Sequence, residues 1–127
     1  MDRDKLQRVV YSWAQAVFGE LSMERQERVR RFLEEAIELA QAEGLPKADV
    51  DMLTLHVYGK PAGTPAQELG GVGLTLLAYA ESTGLSAEDC ESAEFERVQK
   101  KSPAYWRDRQ NKKADAGVAV RVGEKKA

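Results

Sequence analysis

Apolar residues recur at three- and four-residue spacing along most of this chain, and no pair of strands stands out. That spacing places apolar side chains on one face of an α-helix. Leu6, Val9, Val10, Trp13, Val17 and Phe18 predict a first helix over Asp4–Phe18, stopped by Gly19. Ser22 is expected to cap a second helix from about Met23 to Glu43, ending at Gly44. Its apolar stripe is Val29, Phe32, Leu33, Ala36, Ile37 and Ala40. Leu45-Pro46 opens a shorter third helix, with Val50, Leu53, Thr54, Val57 and Tyr58 before Gly59.

Thr64-Pro65-Ala66-Gln67 is a strong helix start: a capping hydroxyl, a proline in the first helical position, and a glutamine to close the capping box. This fourth helix runs to about Ser82 and ends near Gly84. It contains Gly70, Gly71 and Gly73, each costing about 1 kcal/mol against alanine. Close approach of another backbone or of a ligand is the expected compensation. Ser86 caps the last long segment, whose inward positions are Phe95, Val98 and Ser102; Pro103 kinks or restarts it. The reading is an all-α fold of about five helices with a four-helix core of antiparallel neighbours. One domain spans 1–113, and the small, polar and charged residues 114–127 read as a flexible tail.

Composition narrows this picture little. A length of 127 residues suits one domain with its own core. A net charge of −2 gives no case for nucleic-acid binding. No apolar run reaches the ~20 residues of a membrane span, so no membrane partner is expected. The single cysteine, Cys90, excludes an internal disulfide, fits a reducing cytoplasm, and reads as a small buried residue. His56 is the only histidine, which leaves little material for histidine-based zinc sites or Ser-His-Asp triads.

The chemistry worth weighing lies on the second helix. Glu34, Glu35 and Glu38 share one stretch of surface there, and like charges so close repel unless a cation sits among them. Carboxylates are hard oxygen ligands of the kind that hold Mg²⁺ or Mn²⁺. Surface ion pairs are the alternative, because Arg30 precedes Glu34 by four and Arg31 precedes Glu35 by four. Glu68 is an isolated carboxylate early in a very apolar helix. The last segment turns from acidic, at Glu91, Glu94 and Glu96, to basic, at Lys100, Lys101, Arg107, Arg109, Lys112 and Lys113. That gradient suits the helix dipole, and equally an anion site.

Glu34-Glu35-Ala36-Ile37-Glu38, followed by Glu68-Leu69-Gly70-Gly71, resembles the EExxE and ExxD motifs of the MazG-like nucleoside triphosphate pyrophosphohydrolases. The wider text, from Ser-Trp-Ala near the start to the basic final helix, is similar to a phage and bacterial subgroup. The resemblance covers roughly 9–113. It implies an enzyme that cleaves a nucleoside triphosphate to the monophosphate and pyrophosphate with Mg²⁺, or with Mn²⁺. It implies Glu35, Glu38 and Glu68 as metal ligands, and Glu34 and Glu38 as catalytic groups. Lys101 and Arg107 would contact phosphates, and Trp13 would pack on the base. A homodimer or homotetramer that completes the bundle is also implied, and the apolar run Val72–Ala80 suits such burial. One departure stands out: the motif's aspartate is replaced by Gly71. Glu94 is a candidate substitute. The competing reading is a non-catalytic helical protein that binds nucleotide or serves as an oligomeric scaffold.

Overall fold

A computed structural model describes residues 2–123. Six α-helices follow in order: α1 Arg3–Phe18, α2 Arg25–Ala42, α3 Lys47–Tyr58, α4 Pro65–Thr83, α5 Ala87–Gln99 and α6 Pro103–Asp115. A 3₁₀ turn, Gly19–Met23, joins α1 to α2. No strand occurs among the described residues, so the fold is all-α. None of these helices is long and apolar enough to cross a membrane.

The helix ends follow local chemistry. Asp2 caps α1 by accepting from the Lys5 N–H at 2.8 Å, and Thr64 caps α4 ahead of Pro65. Pro103 restarts the last segment rather than kinking it. Ser102 caps the new helix by accepting from the Tyr105 N–H at 3.2 Å, which makes six helices rather than five. Ser22 does not cap α2. Its hydroxyl turns back and donates to the Gly19 carbonyl at 2.7 Å, because the chain is already wound into a 3₁₀ turn there. Gly19 ends α1 with φ of +62°, a conformation that a side chain would strain.

The described residues form two units. The first joins the chain up to Glu34 with the chain from Glu91 onward; the second is Glu35–Cys90.

The first unit holds nearly all of the buried residues. Leu6, Ala14 and Val17 lie inward on α1, and Leu21 and Ser22 follow in the 3₁₀ turn. Trp13 is the hub of the aromatic packing. Its ring meets Phe18, Phe95 and Trp106 edge-on, with centroids 6.2, 6.2 and 6.3 Å away. Such edge-to-face pairs add stabilisation beyond the area they bury. The Trp106 indole donates to the Val98 carbonyl at 2.8 Å and so ties α6 to the end of α5. Arg3 pairs with Glu91 at 3.0 Å, linking α1 to α5.

Beyond α6, where a tail is expected from Ala114, the helix continues to Asp115. Residues 118–122 then hydrogen-bond back to α2 and α6. The tail residues 124–127 lie outside the described residues.

In the second unit Ala80 is the only buried residue. Met52, Leu55, Leu69 and Leu74 are between 64% and 72% exposed, and Tyr58 is 86% exposed. The α2 stripe is open too: Val29, Phe32, Leu33 and Ile37 all remain exposed. Cys90 is exposed rather than buried. Gly70, Gly71 and Gly73 have open space where a Cβ would stand. Among the described residues, the close approach expected to compensate for these glycines is therefore not made.

Candidate functional site

Helical geometry brings Glu34, Glu35 and Glu38 onto neighbouring positions of one continuous helix. Each can offer a carboxylate oxygen such that all three atoms lie within 4.8 Å of one another. Oxygens so close repel, and a shared divalent cation would relieve that repulsion. Glu35 and Glu38 are exposed, and Glu34 is partly covered.

Glu34 already has cationic partners. The Lys113 ammonium lies 2.6 Å from its Oε1, and Arg31 lies 3.4 Å from the same oxygen. Arg31 also pairs with Glu27 at 3.3 Å. Arg30 pairs with Glu27 at 3.2 Å. Both arginines thus turn to Glu27, the fully buried charge, which needs compensation most. Next to it, burial holds the Arg28 guanidinium below its ordinary range, partly offset by the Glu27 carboxylate. Arg28 also lies 5.9 Å from the centre of the Phe18 ring.

The other candidates are placed as follows. Glu68 is exposed in the first turn of α4 and stands outside the group of three. Its carboxylate folds back over Gly63, into the space that a Cβ there would fill. Glu94 is taken by Arg97, whose Nε and guanidinium NH₂ donate to its two oxygens at 2.6 and 2.8 Å. That fork holds the Glu94 carboxyl below its usual range. Glu94 is likewise outside the group.

Lys101 sits with its ammonium 5.2 Å from the Tyr105 ring centre, and Arg109 lies 5.9 Å from the same ring. Arg107 donates to the Val17 carbonyl at 3.4 Å, against the end of α1. Trp13 is engaged by three aromatic neighbours. The basic residues paired with Glu34 are Lys113 and Arg31.

Sequence reasoning passed over Glu27, Gln110 and the pairing role of Lys113. Glu27 carried a faint signal, since it precedes Arg30 by three and Arg31 by four. Lys113 lies 79 positions from Glu34, and no spacing rule reaches that far.

Comparison with protein-family models, curated proteins and solved structures finds no match to this chain.

Proposed function

We propose that this chain is a divalent-metal-dependent nucleotide pyrophosphohydrolase that cleaves a nucleoside triphosphate to the monophosphate and pyrophosphate. One observation carries the reading: the mutual approach of the Glu34, Glu35 and Glu38 carboxylates to within 4.8 Å on α2. The resemblance of Glu34–Glu38 and Glu68 to the MazG-like motifs supports it from the sequence.

The donor set fits a hard cation, with carboxylate oxygens only and two of the three residues open to solvent. Glu35 and Glu38 would hold Mg²⁺, with Glu68 of α4 as a further ligand. When bound, the ion supplies charge neutralisation of the triphosphate and a lowered pKa of the attacking water. Glu34 is the candidate for orienting that water and accepting its proton, with Lys113 and Arg31 fixing its carboxylate. Water adds to the α-phosphorus, the bond to the bridging oxygen breaks, and pyrophosphate leaves.

The exposed apolar residues of 35–90 support a further part of the reading, a homodimer or homotetramer that covers them. Sedimentation should then give a mass of two or four chains.

The test is pyrophosphate release from a panel of canonical and modified nucleoside triphosphates, with Mg²⁺, with Mn²⁺ and with chelator. The expected result is metal-dependent turnover that falls at least 100-fold in Glu38→Gln. No turnover from a folded protein across the panel would favour the second reading, a non-catalytic nucleotide-binding or scaffold protein. Three observations favour that alternative. Gly71 stands where the motif has aspartate, Glu68 is outside the acidic group, and Glu34 is already neutralised by Lys113.

A further inference from the structure

The interaction between residues 118–122 and the helices has an unusual chemistry. The Arg31 guanidinium donates to the Val118 carbonyl. The Val120 N–H donates to Glu27 Oε2 at 3.2 Å. Gln110 Nε2 donates to the Val120 carbonyl at 2.8 Å, and also to Glu27 Oε1 at 2.8 Å. The Val122 N–H donates to Asn111 Oδ1 at 2.9 Å.

Backbone groups of alternate residues thus face the helices: a carbonyl at 118, both groups at 120, and an N–H at 122. That is the alternation with which a strand presents itself to a neighbour. Here the neighbour is a row of side chains. Glu27 and Gln110, 0% and 4% exposed, are bonded to each other and offer an acceptor beside a donor, as a strand edge does.

Apart from the ion pair of Arg121 with Asp115 on α6, these contacts are made to backbone. No residue of 118–122 is buried, and Val118 is 52% exposed. The segment leaves α6 at Gly117, whose φ of +82° turns the chain off the helix, with the Val118 N–H donating to the Lys113 carbonyl at 3.0 Å. What holds the segment in place is a set of polar groups that would accept other polypeptide as well.

We propose that the groove of Arg31, Glu27, Gln110 and Asn111 is a binding site for an extended peptide, read through its backbone, and that residues 118–122 are its displaceable resident. The ligand class follows from the donors and acceptors. It is a non-helical peptide with a free carbonyl, then two residues on a free N–H and carbonyl, then two residues further a free N–H. Side chains are loosely specified apart from a basic residue in the place of Arg121, to meet Asp115, and proline is excluded at the second and third of these positions, where an N–H is required. The groove adjoins the acidic group, since Arg31 also pairs with Glu34 at 3.4 Å, but none of its residues is one of the proposed metal ligands.

The experiment uses the full chain carrying Val120→Pro, which deletes the N–H given to Glu27 and leaves the helices untouched. A fluorescent peptide of residues 117–123, Gly-Val-Ala-Val-Arg-Val-Gly, is titrated into this variant and into the unaltered chain. In the unaltered chain the tethered segment competes at an effective concentration of about millimolar. The variant should therefore bind the peptide at least 10-fold more tightly. The same peptide with proline at its fourth position should not bind. Equal affinity for the two proteins, or for the two peptides, would overturn the proposal. If the variant does not fold, hydrogen exchange on the unaltered chain decides instead. The Val120 and Val122 amides should exchange at least 10-fold faster than those of Ala14 and Val17. Equal rates would mean that the segment leaves only when the whole unit unfolds, and the site would not exist as a site.

Discussion

The two units share a helical pattern yet differ in what they bury. The first, with α1, α6 and the chain joined to them, closes an aromatic cluster around Trp13 and a charged cluster around Glu27. The second, Glu35–Cys90, carries many apolar residues in its helices but has only Ala80 out of solvent. Amphipathic spacing states which face is apolar; it does not state what covers that face. The contrast also bears on the glycines of α4. In a buried helix Gly70, Gly71 and Gly73 would be explained by close packing, whereas here each faces open space.

The strongest test of this contrast is a pair of truncations. Trp13→Ala removes the hub of the aromatic cluster and should lower stability by about 3 kcal/mol. Leu74→Ala, at a side chain 72% exposed, should cost less than about 0.5 kcal/mol in dilute solution. Urea unfolding at low protein concentration measures both. If Leu74→Ala costs as much as Trp13→Ala, the second unit is covered in solution, as the proposed homo-oligomer requires.

A smaller effect of opposite sign is expected at Gly71. With nothing near its missing Cβ, Gly71→Ala should raise stability by about 0.5 to 1 kcal/mol through the unfolded chain and helix propensity. Thermal unfolding reads the sign. A loss of stability together with weaker self-association would show that a second backbone packs against this face.

The smallest effect sharpens the comparison from the electrostatic side. Glu94 is exposed and its carboxyl is held down by Arg97. A depressed carboxylate contributes stability above its unfolded pKa and loses it as pH falls through the folded value. Exposure and salt screening limit the pair to about 0.3 kcal/mol. Arg97→Ala should therefore destabilise by about that amount at pH 7 and by nothing measurable at pH 2.

Much of the fold was legible from local rules. The extents of α1, α3 and α4 follow apolar spacing, and their limits follow Gly19, Gly59, Thr64-Pro65 and Gly84. The candidate site was half legible. Glu34, Glu35 and Glu38 are brought together by the helical repeat alone, so their spacing already implied their proximity. The cations were less legible, because a basic run says how much charge a helix carries and not where each side chain ends. Lys101 and Arg107 met the Tyr105 ring and the Val17 carbonyl, while Lys113 met Glu34.

By itself, then, the sequence determined what depends on a few consecutive residues: helix positions, caps, and the carboxylate row on α2. Tertiary structure alone decided which face is covered, which lysine reaches Glu34, and that Glu27 and Gln110 hold residues 118–122. Those outcomes join groups as many as 93 positions apart. They are chosen by competition among partners for a buried charge or an open face, and no local pattern contains that competition.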